Sequence, residues 1–426
     1  MKKGIFPLLA AVLCLWGALE AAPAQAKTAK PADLMSGVRS IVPSPACALP
    51  DETARRAVNR FSGELFRASA KNPGNVMVSP ASVYLALGMA LNGAGGETKA
   101  AMLGVMADPA QDLEDLNRAN RGWAASLSRK AAKTDLAIAN SIWFDREFRP
   151  AKAFLQRNAD YYGAAARRLD FRDPKSPGVI NGWVKESTRG TIDKIIEEIR
   201  RGDVMFLVNA VYFKSDWQAP FEKDQTRRRP FHAPGGDVQA DFMHRTGRMG
   251  WLEGLGARGM SLSYDDGQFA FFALLPDGGV SPRQWLEHQE PAALFGEIAG
   301  MMARKALFTV ELAMPKFESR YEDRLNDELI GMGLGIAFEP HRADFSGMNE
   351  SRAKNLFIGE VKHKTFVRVD EKGTEASAVT SIGIRATSIV TDTRKLVLDR
   401  PFIYGIMDTN TGIPLFVGIM ENPAGK

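Results

Sequence analysis

Hydrophobic positions recur at helical spacing from Asp51 onward, where several apolar side chains fall on one helix face. These residues are Ala54, Val58, Phe61, Leu65 and Phe66. Pro73-Gly74 ends this predicted helix, and a short apolar strand, 76–78, follows. A second helix is predicted from Ser79-Pro80 until the Gly-rich run 92–96 ends it, because glycine accepts the left-handed backbone common at helix C-termini.

Farther along, apolar and alternating stretches predict strands, and helical spacing predicts further helices, without a fixed order of the two. The predicted strands are Leu136–Phe144, Val204–Phe213, Phe269–Leu275, Phe308–Leu312, Thr365–Val369, Phe402–Met407 and Leu415–Met420. The predicted helices are Ala151–Tyr162, Val179–Glu186 and Leu325–Met332. No repeat and no Pro/Ser-rich linker divides this part of the chain. We therefore expect one α+β domain over residues 51–426, preceded by a flexible N-terminal tail over residues 27–50.

The first residues have the composition of a secretory signal peptide. Lys2 and Lys3 precede an apolar run, and Ala24-Gln25-Ala26 offers a small-x-small cleavage pattern. We predict a signal peptide over residues 1–26 and a mature protein that is secreted or periplasmic, with no membrane attachment after cleavage. A retained membrane anchor is the alternative. Cleavage removes Cys14 and leaves Cys47 as the only thiol, which is either buried or able to pair between chains.

Composition and local motifs argue against several classes of function. Lys plus Arg exceed Asp plus Glu by 55 − 50 = 5 in the 426 residues, too few to indicate nucleic-acid binding. Two Cys and five His exclude a disulfide framework and a four-Cys zinc site. The G-x-G-x-x-G match at 254–259 lacks a good flanking strand and helix, so it favours a turn. Arg227-Arg228-Arg229 favours a solvated loop over a polyanion site.

No motif favours an enzyme, a metal site or a cofactor site. The chain has no H-E-x-x-H, C-x-x-C, P-loop or G-x-S-x-G sequence. Spacing alone does not exclude a Ser-His-Asp triad, because triads assemble from distant parts of a chain. We therefore expect a protein that is not an enzyme, with no metal and no cofactor.

The stretch 371–400 has an unusual composition. After Gly373 it contains no proline and one further glycine, and small or β-branched residues dominate, which is typical of a strand. It is nevertheless far longer than an ordinary strand of about 5–6 residues. Alternate positions from Thr374 to Ile382 carry small or apolar side chains, whereas the opposite side begins with the charge of Glu375. Two interpretations remain open: an exposed loop that is also a competent central strand, or a long surface loop.

Eight sequence motifs follow one another along nearly all of residues 51–426. The first four are Asn75 with Ser79-Pro80-Ala81-Ser82, Gly93 to Thr98, Ile180 to Val184 with Thr188-Arg189-Gly190, and Leu207 to Lys214 with Trp217. The last four are Ala343 to Gly347, Val361 to Lys364, Asp370 to Ala376, and Asp399 to Tyr404. Together they resemble the motifs of the serpins, a family of serine protease inhibitors, and the N-terminus suggests a bacterial, secreted member.

The resemblance implies a single-domain serpin fold with three β-sheets, A to C, eight or nine helices and an exposed reactive-centre loop over about 371–400. It also implies a mechanism of inhibition. A target protease attacks the loop as a suicide substrate and becomes acylated. The cleaved loop then enters sheet A as a central strand and carries the tethered protease with it, which deforms the protease before deacylation.

The resemblance also assigns residues to three parts of this mechanism. The hinge of the loop comprises Glu371, Gly373, Thr374, Glu375, Ala376, Ser377, Ala378, Val379 and Thr380. Ser79, Ser82, Asn209 and His363 match the shutter, where sheet A opens, and Trp217 matches the breach, where insertion begins. Small residues after Glu375 are typical of inhibitory members. Val379 is bulkier than usual, but its parity places it on the outward side.

The family spacing, counted from Glu371 as the first position, puts the scissile bond at Thr387-Ser388. A small β-branched residue suits an elastase-like or subtilisin-like protease, whereas cleavage after Arg385 would suit a trypsin-like one. We expect a monomer that forms a covalent complex with a serine endopeptidase, and a cysteine protease is a second kind of target. The competing interpretation is a non-inhibitory carrier or chaperone with the same fold. The physiological target and polyanion activation are left open.

Overall fold

Helices and strands mix along the chain, as the hydrophobic pattern predicts. The computed structural model describes residues 31–35, 38, 49–127, 133–304, 306–374 and 393–425. From Pro31 onward these residues belong to one compact unit with an α+β fold. None of the described helices is both long enough and apolar enough to cross a lipid bilayer.

Nine α-helices lie within the described residues. They are α1 Glu52–Ser69, α2 Pro80–Leu91, α3 Gly96–Met106, α4 Leu113–Leu127, α5 Lys152–Tyr162, α6 Ser176–Ser187, α7 Pro282–Glu287, α8 Pro291–Ala303 and α9 Asn326–Leu329. The first two begin where the sequence predicts, because Asp51 accepts a hydrogen bond from the Ala54 amide and Ser79 accepts one from the Ser82 amide.

Sixteen strands accompany these helices in the same described ranges. They are β1 Ala32–Asp33, β2 Val76–Val78, β3 Thr134–Asp145, β4 Ala165–Leu169, β5 Met205–Asp216, β6 Arg227–Ala233, β7 Gly236–Gly254, β8 Ala257–Ser263, β9 Phe269–Pro276, β10 Leu307–Pro315, β11 Phe317–Arg324, β12 Lys362–Val369, β13 Gly373–Thr374, β14 Thr393–Val397, β15 Phe402–Asp408 and β16 Ile413–Met420.

The strands form the three sheets that the serpin resemblance implies. Sheet A has the order β1-β4-β3-β5-β13-β12-β11. Sheet B has the order β7-β8-β9-β15-β16-β2, and sheet C consists of β14, β10, β7 and β6. The 19-residue strand β7 belongs to both, because it pairs with β6 and β10 before Gly250 and with β8 after it.

The main core lies between sheets A and B, and α2 runs through it. This helix is apolar around its circumference, and its side chains are buried except Ala86, which is half-buried. It packs on β5 of sheet A and on β16 of sheet B. Helix α6 instead lies on the outer face of sheet A, where Ile180 and Val184 join a cluster with Trp143 and Val208. Sheet A is thus covered on both faces at its centre.

Three local features differ from, or add to, the sequence predictions. Ala32 and Asp33 pair with Arg168 and Arg167 at the edge of sheet A, a strand that the flexible-tail prediction for residues 27–50 did not foresee. The Arg227-Arg228-Arg229 run starts strand β6 rather than a loop, because it pairs with β7. The glycines of 254–259 make the predicted turn, since Leu255 and Gly256 have φ of 58° and 68° between β7 and β8.

Candidate functional site in sheet A

The two central strands of sheet A, β5 and β12, run parallel to each other without shared backbone pairing in the described residues. β5 pairs with β3 along its length, and β12 pairs with β11. Between them lies only β13, which pairs with Ser215 and Asp216 of β5 and with Val369 of β12. We call the region between the remaining facing edges of β5 and β12, which are not paired with each other in the described residues, the gap.

The start of the hinge already occupies one end of this gap. Gly373 and Thr374 run antiparallel to both neighbours, and both residues are buried. A Cβ on Gly373 would lie 2.0 Å from the Ser215 carbonyl oxygen, so only glycine fits this approach. The Thr374 side chain points into the core, where its hydroxyl lies 2.6 Å from the Tyr264 hydroxyl. The loop thus enters the sheet as a strand.

Trp217 fixes the chain just before the entry point. Its indole Nε1 donates to the Asp370 carbonyl at 2.9 Å, and its backbone N–H donates to the Lys372 carbonyl at 2.6 Å. The indole ring stacks on Tyr264 with a centroid distance of 4.7 Å. Because Tyr264 in turn contacts Thr374, the two aromatic residues lie next to the entry point, and the breach role of Trp217 stays a prediction.

Glu371 anchors the hinge through a buried ion pair. Its carboxylate accepts hydrogen bonds from Lys316 Nζ at 3.0 Å and from Thr226 Oγ1 at 2.8 Å, and its carbonyl accepts one from the Phe221 amide. Burial raises the pKa of this carboxyl, but the hydrogen bonds from Lys316, from the backbone and from Thr226 outweigh burial and hold the pKa below its usual value. Glu371 therefore stays ionised at neutral pH.

The predicted shutter residues come together below the gap, where α2 begins. The Ser79 amide donates to His363 Nε2 at 3.0 Å, and the Ser82 hydroxyl donates to the Asn209 side-chain oxygen. Ser79 is the N-cap of α2, Ser82 lies in its first turn, Asn209 lies on β5 and His363 on β12. The start of α2 is therefore hydrogen-bonded to both strands that border the gap.

Further side chains extend the shutter. Asn209 Nδ2 donates to Asn140 on β3 at 2.6 Å, and the Thr365 hydroxyl donates to the Met77 carbonyl at 2.8 Å. Sequence reasoning missed Asn140, and also Thr226, Lys316 and Tyr264 around the hinge. None of them stands in a recognisable motif. Each comes near the site only when the chain folds, because it lies on an element that is distant in sequence. The one available indication was a polar residue interrupting an apolar strand, as Asn140 does in β3.

His363 is neutral in this site. Burial lowers its pKa to about 4, and the Asp323 carboxylate offsets this only in part. A neutral ring is also what the geometry requires, since Nε2 accepts the Ser79 hydrogen bond and so cannot carry a proton. The bond between α2 and β12 therefore depends on an unprotonated imidazole.

The structure does not describe every predicted site residue. Glu371, Gly373, Thr374 and Trp217 meet at one end of the gap, and Ser79, Ser82, Asn209 and His363 meet farther along it. The other predicted residues lie outside the described ranges: Glu375, Ala376, Ser377, Ala378, Val379, Thr380, Arg385, Thr387 and Ser388. No group of three or more potential metal ligands is found in the residues that the structure covers.

Comparisons with known proteins agree on one family. The family model described as Serpin (serine protease inhibitor) matches residues 56–423. An uncharacterized serpin-like protein of Thermococcus kodakarensis is 32% identical over 86% of this chain and 85% of its own length. Human leukocyte elastase inhibitor is 29% identical over 87% of this chain and all of its own length. The native-state crystal structure of tengpin, a thermophilic serpin, has a TM-score of 0.84 with 35% identity and covers 92% of this chain and 99% of its own.

The buried His363 predicts a loss of stability in mild acid. Its pKa is about 4 in the folded protein and about 6.5 when unfolded, so the unfolded state binds more protons between these values. The stabilisation is complete above pH 6.5 and falls as pH drops towards 4, by about 2 kcal/mol between pH 7 and pH 5. Urea unfolding followed by Trp fluorescence at these two pH values measures it.

His363→Gln provides the control for this prediction, because a glutamine oxygen can accept the Ser79 hydrogen bond without titrating in this range. We expect the variant to lose less than half as much stability as the wild type between pH 7 and pH 5. Glu371, with its lowered pKa, stays ionised throughout. Equal losses in the two proteins would show that His363 is not the titrating group.

The Glu371 ion pair predicts a weaker hinge when Lys316 is removed. Lys316→Met keeps the apolar stem but leaves the buried carboxylate with fewer donors, which should cost about 1–2 kcal/mol after allowance for the exposure of Lys316. The amides of Trp217 and Phe221, which donate to hinge carbonyls, should then exchange hydrogen faster.

Arg172→Met, which breaks the exposed pair with Glu147, is the matched control and should leave both measurements unchanged. Unaltered exchange at Trp217 and Phe221 in Lys316→Met would contradict the role of the pair.

Proposed function

The chain belongs to the serpin family of serine protease inhibitors, and we propose that it inhibits its target as an irreversible suicide substrate, by inserting the cleaved loop into sheet A. It is an inhibitor and not an enzyme. One observation carries the proposal. The hinge enters sheet A as a strand at Gly373–Thr374, between β5 and β12, two strands that show no backbone pairing with each other in the described residues.

The pairing of the hinge defines the register that a longer insertion would follow. Thr374 lies opposite Ser215 on β5 and opposite Val369 on β12. Each further loop residue would move one position back along both strands. Thr380 would then lie opposite Asn209 on one side and His363 on the other. The inserted loop would thus reach the shutter at its first threonine after the hinge alanines.

This register also matches the sizes of the side chains. Residues directly opposite each other on antiparallel strands point to the same face, so Ala376 and Ala378 would share the buried face with Thr374. Ala376 would lie between Phe213 and Val367, and Ala378 between Val211 and Thr365, all of them buried. Small residues at these positions fit a packed core without rearranging it, which supports insertion rather than permanent exposure.

The chemistry of trapping needs one bond exchange in the loop. The target's serine Oγ attacks the Thr387 carbonyl carbon, the Thr387–Ser388 amide breaks, and the Ser388 amine leaves with the proton that the protease's histidine took from the serine. The protease is then esterified to Thr387. Insertion of residues up to Thr387 at about 3.3 Å each would move the ester about 43 Å from the entry point.

Insertion is favourable because it pairs strand edges that border the gap. Residues 375–384 would pair with β5 as far as Met205, and residues 375–381 would pair with β12 as far as Lys362. At roughly 0.5–1.5 kcal/mol for each backbone hydrogen bond, the total is about 10 kcal/mol. For a protein of this size, that free energy corresponds to a rise in the unfolding midpoint of roughly 12 °C. The uncleaved protein is therefore held in its native state kinetically.

We propose an elastase-like or subtilisin-like target, because Thr387 suits a shallow primary pocket. A relative named leukocyte elastase inhibitor supports the elastase-like choice. Arg385 supports a trypsin-like alternative, and a cysteine protease would form the corresponding thioester. We further propose that the protein is exported and acts as a monomer after removal of residues 1–26, in which case N-terminal sequencing of the mature protein should start at Lys27.

The first prediction from this mechanism is a covalent complex. Residues 27–426 mixed with pancreatic elastase, subtilisin or trypsin should give an SDS-stable adduct and release fragment 388–426. The mass of this fragment identifies the bond: a fragment 386–426 would keep the mechanism and move the cleaved residue to Arg385. If all three proteases cleave the loop without forming an adduct and without thermal stabilisation of the protein, the inhibitor proposal is wrong. The protein would then be a non-inhibitory carrier or chaperone.

The second prediction separates insertion from cleavage. Ala378→Arg would place a charge on the buried face of the inserting strand, so the variant should be cleaved at the normal bond yet form at least tenfold less adduct per cleavage. Ser377→Arg is the matched control, because its side chain would face outward at the adjacent position. We expect its stoichiometry of inhibition to stay within about twofold of the wild type. Equal behaviour of the two variants would contradict the register.

A further inference from the structure

The loop is attached to sheet C by an edge strand. β14, Thr393–Val397, lies inside the range 371–400 that was predicted as loop, and it pairs in parallel with β10, so the predicted loop ends as a strand of sheet C. β10 is its one paired neighbour among the described strands. Leu396 is buried near the far end of β14, whereas Thr393, at the end next to the loop, is exposed. Detachment of this strand would therefore begin at Thr393 and Arg394.

Arg394 clamps that end of the strand to its neighbours. Its guanidinium carbon lies 4.7 Å from the ring centroid of Phe308 on β10 and 5.7 Å from that of Trp251 on β7. A guanidinium nitrogen lies 3.7 Å from Glu253 Oε2, which also accepts a hydrogen bond from Trp251 Nε1 at 2.9 Å. The cation thus sits between two aromatic rings and a carboxylate, an arrangement that stabilises charge where water is partly excluded.

An uncleaved loop could not insert fully while β14 stays in place. In the register of the hinge, Ile384 would lie opposite Met205, at the far end of β5. The chain from Ile384 to Thr393 spans at most about 32 Å. It would have to return along β5 from Met205 to Ser215, about 33 Å, and then continue to Thr309, the partner of Thr393 in sheet C. The connection falls short, so full insertion requires either a cut loop or release of β14.

We propose that Arg394 is the positioning residue that couples insertion to cleavage. While the loop is intact, the contacts of Arg394 with Phe308, Trp251 and Glu253 hold β14 in sheet C and so oppose insertion. Once the bond at Thr387 is cut, the constraint disappears, and β14 can remain where it is. Arg394 touches no protease in this role. The inference rests on the proposed function, because it concerns the same insertion.

The test compares Arg394→Ala with Lys395→Ala. Lys395 is the next residue of the same strand, lies opposite Glu311 and is exposed, so its loss leaves the clamp intact. Intact proteins are incubated at a temperature at which the wild type inserts its uncleaved loop over days. This conversion to the loop-inserted form is followed by native gels and by the rise in the unfolding midpoint. We expect Arg394→Ala to convert about tenfold faster than the wild type, and Lys395→Ala to stay within twofold.

Two further measurements exclude a merely structural effect. Because β14 and its Arg394 contacts stay in sheet C after cleavage, cleavage of Arg394→Ala should raise its unfolding midpoint by as much as cleavage raises that of the wild type. Arg394→Lys, which restores a cation between the rings, should convert at a rate between the other two. If Arg394→Ala does not fold, the milder Glu253→Gln replaces it, with at least threefold acceleration expected.

The outcomes separate this inference from the proposed function. A conversion rate for Arg394→Ala within twofold of the wild type would overturn the coupling role. A smaller rise of the unfolding midpoint on cleavage of Arg394→Ala than on cleavage of the wild type would also overturn it, because Arg394 would then act on insertion itself and not on the release of β14. If Arg394→Ala converts fast but the protein traps no protease, the role of Arg394 is supported and the proposed inhibition is wrong. The two results are independent because conversion is measured without a protease.

Discussion

The structure depends on two parallel strands, β5 and β12, that are not paired with each other in the described residues. Each is paired on its outer side, and within the part of the chain that the structure describes Gly373 and Thr374 join them. Unpaired backbone groups along a sheet interior are costly unless something satisfies them, so a strand that can enter has a strong driving force. Two features hold the N-terminal end of the loop: the ion pair of Glu371 and the aromatic residues at the entry point. The pairing of β14 with β10 holds its C-terminal end.

The polar side chains beneath the gap follow from the same constraint. Apolar contacts under β5 and β12 would not fix the positions of these strands relative to α2, because such contacts have no preferred direction. Ser82 and Asn209, by contrast, bind β5 to α2, and Ser79 and His363 bind β12 to the same helix. These bonds satisfy groups that burial would otherwise leave unpaired. Because the expected register brings Thr380 to this place, the inserted strand would offer a hydroxyl where hydrogen-bond partners already exist.

Sequence patterns predicted the strongly alternating or apolar elements and missed others. All eight predicted strands exist, since runs such as Phe269–Leu275 are too apolar to lie elsewhere than in a core. Strands β6 and β8 and helices α3 and α4 were not predicted, because β6 is largely exposed and the hydrophobic positions of the others are few or interrupted by glycine. The serpin motifs identified candidate residues for the hinge and the shutter, whose roles stay predictions. Their partners Lys316, Tyr264 and Asn140 could not be predicted, since sequence separation says nothing about which strands become neighbours.

The position of β16 has a consequence for synthesis of the chain. This strand, Ile413–Met420, lies between β15 and β2, and the Asn75 side chain bonds to the backbone of Glu421 and Asn422. Sheet B, on which α2 rests, therefore stays incomplete until residues 413–422 have left the ribosome. Contacts between such distant parts of a chain form slowly. Every nascent molecule thus passes through a period in which the loop has been synthesised, while the sheet that supports α2 beneath sheet A is still unfinished.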